Sequence, residues 1–277
     1  MPKKVPSPPK RPKAGASSAS REEQAFLAAY RAQVYPRPAV TVDLAIFTLL
    51  DADLKLLLIR RKEHPFRGRW ALPGGFVRVG DTFDDQGEDL DAAARRELAE
   101  ETGLPAERLF LEQLHTFGRA GRDPRTRVIS VAYTALIRPD LAPFVHAGSD
   151  AAEAGWCSTG EIAARALAFD HDEIVALALA RLRERVEHGD AAFELVPPAF
   201  SVAELRAVHE AIKGTAYDPG NFRRRFLRLL EDGTIEEAPG KRVTGARPAK
   251  VYRFRRTAGA SGPYALPGDR GYNGGLD

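Results

Sequence analysis

Glu97, Glu100 and Glu101 lie in the stretch RRELAEETGL, residues 95–104, and crowd three carboxylates into a turn and a half of a predicted helix. At positions i, i+3 and i+4 they leave the helix from one face. Their repulsion costs helix stability. A hard divalent cation turns that cost into a binding site, because Mg²⁺ (or Mn²⁺) takes carboxylate oxygens and keeps waters for a phosphate-bearing substrate. The competing reading is an exposed acidic face partly neutralised by Arg95 and Arg96.

The elements that must position this cluster follow from pattern. AVTVDLAIFTLL, LKLLLIRRK and RVISVAYTALI are β-branched or apolar runs bounded by turn residues, as buried strands are. Helical periodicity covers residues 90–102 and 172–187. A mixed sheet covered by helices, an α/β (α+β) fold, is the expectation. LVPPAF, residues 195–200, reads as a linker. Beyond it, FSVAELRAVHEAIKG has Ser201 as N-cap and Val202, Leu205, Val208 and Ile212 at helical spacing. A turn at Tyr217-Asp218-Pro219-Gly220 opens a second helix, NFRRRFLRLLEDG, with the stripe Phe222, Phe226, Leu229 and Leu230. A short strand, the loop APGKRVTGARPAK and the strand VYRFRR complete the order of a winged helix-turn-helix. The competing reading is a small helical cap with a solvated basic surface.

Charge divides along the chain. Residues 1–21 carry six Lys/Arg and no acid, and residues 198–256 carry 13 Lys/Arg against seven Asp/Glu. The last 21 residues come to −1, so with a total of +3 the span 22–197 is about −8 by difference. An acidic middle between basic flanks suits a region that holds cations beside one that meets a polyanion. Residues 1–22 and 257–277, rich in small and polar residues and Pro, are expected to be disordered tails. A hydrophobic share of 44% with no long apolar run excludes a membrane span, and the N-terminus lacks the apolar core of a secretory signal, so a cytoplasmic location is expected. The single Cys157 excludes an internal disulfide and reads as a small buried apolar residue.

From Glu88 to Leu104 the sequence resembles the Nudix hydrolase signature: a glutamate, seven residues, then Arg96-Glu97-Leu98-Ala99-Glu100-Glu101-Thr102-Gly103-Leu104, preceded by Gly74 and Gly75 in WALPGGFV. One departure stands out. FVRVGDTFDDQG puts twelve residues between Gly75 and Glu88 where the family pattern has five, an insertion around Asp81, Asp84 and Asp85 that is a surface excursion or a narrowing of the substrate mouth. The resemblance implies Mg²⁺-dependent cleavage of a nucleoside diphosphate linked to another group. Glu97, Glu100 and Glu101 then hold metal, Arg96 orients a glutamate, Glu88 ties down the loop, and Gly74 and Gly75 allow close backbone approach. The general base is left among Glu112, Asp123, Asp150 and Glu153.

YPRPAVTVDLAIF, LLIRRKEHPFRGRWALPGGFV and LAFDHDEI are similar to the branch that handles ADP-ribose, with Arg60, Arg61, Phe66 and Arg69 as candidates for phosphate, ribose or adenine contact. His171 reads as a cap or packed residue. Together with the basic C-terminal module, the chain resembles the Nudix-related transcriptional regulators of NAD metabolism. That implies a Nudix domain at 23–194, a linker at 195–200, a winged helix at 201–256, ADP-ribose as ligand, an operator duplex as partner and a homodimer. Arg223, Arg224, Arg225 and Arg228 of the second helix and Lys241, Arg242, Arg247 and Lys250 of the wing are the expected DNA contacts. The alternatives are a plain ADP-ribose pyrophosphatase with a structural C-terminal module, and an RNA-directed hydrolase, disfavoured by the lack of an aromatic platform.

Overall fold

The computed structural model describes Arg21 and residues 37–80, 87–106, 109–145, 151–162, 164–188, 190–244 and 247–255. Both expected tails and the insertion carrying Asp81, Asp84 and Asp85 lie outside the described residues, apart from Arg21. The described residues between 38 and 255 belong to one compact unit.

Strand β1 (Ala39–Leu50) turns through Asp51 and Ala52, both at positive φ, into the antiparallel β2 (Asp53–Arg61), a hairpin of the tight left-handed kind. The short β3 (Trp70–Ala71) and β4 (Gly74–Phe76) pair with β2 and β1. After helix α1 (Leu90–Thr102) come β5 (Phe110–Phe117), β6 (Val128–Leu136), β7 (Ala151–Ser158) and the short α2 (Thr159–Ile162). The central contact is parallel, β1 on β6, while β7 adds antiparallel to β2. The result is a mixed sheet of seven strands among the described residues.

Alternation along β1 sends Val42, Leu44 and Ile46 to one face, where they meet Ala93, Ala94 and Leu98 of α1. Ala45 and Phe47 go to the other face and meet Ile174, Val175, Ala178 and Leu182 of helix α3 (His171–His188). Helices therefore cover both faces, an α/β/α sandwich.

The second core continues without a break through a 3₁₀ turn (Ala191–Leu195) into α4 (Val202–Lys213), α5 (Pro219–Glu231) and the hairpin β8 (Ile235–Thr244) with β9 (Arg247–Phe254). Ser201 caps α4 in a reciprocal capping box with Glu204, and Asp218 caps α5. The expected linker needs correction. Leu195, Val196 and Phe200 are fully buried, and Phe200 exchanges two backbone hydrogen bonds with Tyr252 of β9. The two prolines interrupt helix, but the apolar residues beside them pack, so this segment is a core strut. Among the described residues no helix is long and apolar enough to cross a membrane.

Candidate functional site

Helix α1 carries the acidic cluster because its buried positions, Ala93, Ala94, Leu98 and Thr102, face the sheet, and Gly103 closes it in a left-handed cap with its N–H on the Ala99 carbonyl. Glu97, Glu100 and Glu101 then line a cavity of about 910 Å³. Gly74 and Gly75 form another wall, brought there by the pairing of β4 with β1 at Asp43 and Val42.

Arg96 is the hub of the acidic group. Its Nε and Nη2 donate to Glu88 at 3.0 and 2.6 Å, and its Nη1 donates to Glu97 at 2.5 Å and to Glu100 at 3.2 Å. Glu88 also accepts from the Arg78 backbone N–H, and its own N–H donates to the Arg78 carbonyl, so the inserted loop is pinched closed at its base. The Arg96 guanidinium holds the Glu88 carboxyl down at about 2, whereas burial pushes Glu97 up. Four carboxylates, Glu88, Glu97, Glu100 and Glu101, share this corner with two guanidiniums, Arg78 and Arg96.

Across the β1 edge lies a second charged group. Arg122 forms a fork onto Asp170 at 2.9 and 2.6 Å and reaches Asp43 at 3.4 Å. Asp43 also accepts from the Ser130 hydroxyl at 2.5 Å and faces His171 Nε2 at 3.6 Å. His171 Nδ1 accepts the Leu72 N–H at 2.8 Å, which makes it the bare ring nitrogen, and burial keeps the imidazole neutral by lowering its pKa. The cavity mouth is layered: Arg61 sits 4.9 Å from the Phe169 ring centre, and Arg125 lies 5.5 Å from Phe76 and 5.9 Å from Phe169.

On the C-terminal module, Arg223, Arg224, Arg228, Lys241 and Lys250 are exposed.

Residues 40–178 match the NUDIX domain, and residues 192–254 match the NrtR DNA-binding winged helix domain. The chain belongs to the Nudix family. It is 38% identical over 232 residues to the ADPR responsive transcriptional repressor NtrR of Acinetobacter baylyi, an alignment covering 84% of this chain and 88% of the relative. It is 39% identical over 143 residues to the ADP-ribose pyrophosphatase of Methanocaldococcus jannaschii, covering 52% of this chain and 74% of that protein. The crystal structure of Shewanella oneidensis NrtR with a 27mer DNA superposes with a TM-score of 0.67 at 31% identity, over 78% of this chain and 93% of that one.

The Nudix box residues Arg96, Glu97, Glu100 and Glu101 are thus gathered at one cavity with Gly74 and Gly75. Glu88 stands behind them, holding Arg96 and the loop base. Three other expected ligand contacts are displaced. Arg60, on the opposite face of β2 from Arg61, pairs with Glu153 of β7 at 3.7 Å. Arg69 covers the Phe66 ring, and Phe66 packs edge-on against Phe169. None of the three lines the cavity; Arg61, Phe76, Arg125 and Phe169 do. Of the candidate bases, Glu112 is paired with Arg185 and Glu153 with Arg60, both outside the cavity, and Asp150 lies outside the described residues. Asp123 lines the cavity; burial pushes its carboxyl up, but bonds from the Arg125 side chain and backbone outweigh this and lower it.

Two expected DNA contacts also turn inward. Arg225 donates to the Glu187 carboxylate at 3.0 Å and to the Val186 and Glu187 carbonyls at 3.1 and 2.8 Å. Arg242 donates to the Ala199 carbonyl at 2.6 Å and pairs with Glu204 at 3.3 Å. Both guanidiniums cover carbonyls and carboxylates that packing leaves half-buried. The side chain of Arg247 lies outside the described residues.

Asp43, Arg122 and Asp170 carry no motif in the sequence, and His171, expected as a cap or packed residue, lines the cavity. The one local signal for this wall is a run of polar residues, FDHDE, interrupting an apolar pattern ahead of a helix.

Among the described residues no three His, Cys, Asp or Glu groups converge closely enough to enclose an ion, because Arg96 draws Glu97 and Glu100 to itself. The donor set still fits a hard divalent cation: all donors are oxygens, and the three carboxylates of Glu97, Glu100 and Glu101 outnumber the guanidiniums of Arg78 and Arg96. Gly75 adds to the fit, since its backbone lies so close to Glu97 that a Cβ would stand 2.3 Å from Oε1.

Proposed function

We propose that this chain is an ADP-ribose-responsive DNA-binding regulator of NAD metabolism whose Nudix domain also hydrolyses ADP-ribose or a related nucleoside diphosphate derivative with a divalent metal. The observation that carries this reading is the joining, in one compact unit, of an acidic Nudix cavity to an NrtR winged helix. The relatives named above, a repressor described as ADPR-responsive and an ADP-ribose pyrophosphatase, support the ligand. The Shewanella complex supports DNA as the partner. The Nudix domain spans 23–194 and the winged helix 201–256, in a cytoplasmic two-fold dimer suited to a palindromic operator.

Glu97, Glu100 and Glu101 would hold Mg²⁺ or Mn²⁺. When bound, the metal supplies charge neutralisation at the diphosphate and acidifies water. Arg96 sets the rotamers of Glu97 and Glu100, and Glu88 fixes Arg96. Gly74 lets β4 lie against β1, and Gly75 leaves the Glu97 carboxylate room beside the backbone, so together they keep that wall of the cavity in place for a diphosphate. Arg61 and Arg125 bring positive charge to the ligand's anionic groups, and Asp123, ionised at neutral pH, accepts a proton from the attacking water. Arg223, Arg224, Arg228, Lys241 and Lys250 contact phosphates and base edges of the duplex.

The test incubates purified protein with Mg²⁺ and ADP-ribose and separates AMP and ribose 5-phosphate by chromatography, with Glu101→Gln as control. Turnover lost in the variant, whose thermal transition is kept, supports an enzyme. Undiminished turnover in Glu101→Gln sinks the metal assignment. No turnover despite measurable ADP-ribose binding leaves a sensor. A plain pyrophosphatase, favoured by the intact box, would show turnover and no retention of duplex DNA.

A further inference from the structure

Helix α3 touches the ligand cavity at one end and the winged helix at the other. Phe169 and His171 line the cavity, and Asp170 between them holds the Arg122 fork. His171 also fixes the Leu72 N–H, two residues ahead of Gly74. Phe169 has φ of 55°, a left-handed conformation that a phenylalanine tolerates poorly, so ligand contact there bears on backbone already displaced from its preferred state. From this point α3 runs 18 residues, about 27 Å at 1.5 Å per residue. Ile174, Val175, Ala178, Leu182 and Val186 are buried along one flank, which stiffens it.

At the far end a single carboxylate gathers three parts of the winged helix. Glu187 accepts from Tyr217 Oη at 2.8 Å and Arg225 Nη1 at 3.0 Å, and pairs with Lys213 Nζ at 2.9 Å. Lys213 is the last residue of α4, Tyr217 lies in the turn, and Arg225 is on α5. The clasp therefore fixes the angle between the two helices as well as their seat on α3. Arg225 points inward from α5, while Arg223, Arg224 and Arg228 of the same helix face solvent. Any shift of Glu187 along the helix axis is delivered to the helix that presents those three guanidiniums.

Building on the functional reading above, in which the cavity binds ADP-ribose and α5 meets DNA, we propose that Glu187 is the positioning residue through which occupancy of the cavity sets the DNA-reading helix. It touches neither ligand nor DNA. Its effect is on the coupling between them, a ratio of affinities.

The experiment uses the full chain, ADP-ribose and a fluorescent duplex selected in vitro on the wild-type protein, in Ca²⁺, which takes the same oxygen donors as Mg²⁺. Duplex affinity is measured by anisotropy with and without saturating ADP-ribose, and ADP-ribose affinity by calorimetry. Wild-type protein should show an affinity ratio of at least about 5, the lower end of ordinary allosteric coupling. In Glu187→Gln the ratio should fall below about 2, while ADP-ribose affinity stays within about 3-fold. A merely structural loss of stability would not erase the ratio in the folded fraction. Should Glu187→Gln fail to fold, Tyr217→Phe removes one hydrogen bond and should lower the ratio part-way. A ratio kept at the wild-type value in the folded variant overturns the proposal and leaves the functional reading standing. A wild-type ratio of one despite ADP-ribose binding overturns the regulatory reading itself, and the proposal with it.

Discussion

The two adjacent glycines at the cavity do different work. At Gly74, φ is +151° and a Cβ would stand 2.2 Å from the Val42 carbonyl oxygen, an obstacle that belongs to the sheet. At Gly75 the obstacle is the Glu97 carboxylate, with Oε1 at 2.3 Å and Cδ at 2.7 Å. Backbone in β1 has nowhere to go, whereas a side chain can rotate at the expense of its bond to Arg96. Gly74→Ala should therefore act on stability, lowering the thermal midpoint by several degrees, as a loss of about 1–3 kcal/mol does. Gly75→Ala should keep most of the midpoint and lose at least about tenfold in metal-dependent turnover, roughly 1.4 kcal/mol of transition-state binding, because Glu97 is pushed off its position. Differential scanning fluorimetry beside the chromatographic assay separates the two. Equal activity loss with equal destabilisation in both would refute the division.

At the level of elements, the end of α3 makes a prediction about acid. Lys213 first, then Tyr217 and Arg225, hold the Glu187 carboxyl at about 2, against 4.5 for a free glutamate. A group whose folded pKa is depressed gives stability that is complete above its unfolded pKa and is lost as pH falls through the folded one. The window therefore runs from about pH 4.5 down to about 2. His209, packed against Tyr217 and Phe222, is held at about 4 chiefly by burial, so its protonation also weakens the fold over the acid range, and because the Glu187 charge works against that lowering, this loss is larger in Glu187→Gln. The gap in thermal midpoint between wild type and Glu187→Gln should be full at neutral pH and narrow once pH falls below about 4.5, closing only toward pH 2. A gap that stays constant with pH would mean the clasp is not ionic. The elements themselves were legible: α1 falls where the spacing of Ala94, Leu98 and Thr102 and the Gly103 cap place it, because those signals are local. Arg225 was not legible as a clasp, since Arg223, Arg224 and Arg225 are adjacent in sequence and only packing against α3 tells them apart. The wall of Asp43, Arg122 and Asp170 was hidden for a related reason, its members meeting across 48 and 79 residues of chain.

For the whole molecule, the inward turn of Arg225 and Arg242 reduces the basic surface available to a duplex and sharpens what is left. Each guanidinium or ammonium that meets a phosphate releases condensed counterions, so log affinity falls against log salt with a slope of about 0.9 per contact. Arg223, Arg224 and Arg228 face solvent together on α5, and Arg224 is braced by Asn221 at the start of that helix. Replacing these three by alanine should weaken duplex binding and flatten the salt slope by roughly 2–3, measured by anisotropy between low and moderate salt. Arg225→Met should behave otherwise. It removes the donors on Glu187 and on the two carbonyls at the end of α3, so it should lower the thermal midpoint and leave the salt slope within about 0.5 of wild type, since no phosphate contact is lost. If Arg225→Met flattens the slope as much as any one of the outward arginines, the residue reaches DNA, and the winged helix must leave its seat on α3 when it binds. If the slopes divide as expected, the same helix carries two arginine sets with separate duties, one facing the duplex and one fixing the helix to the domain that holds the ligand cavity.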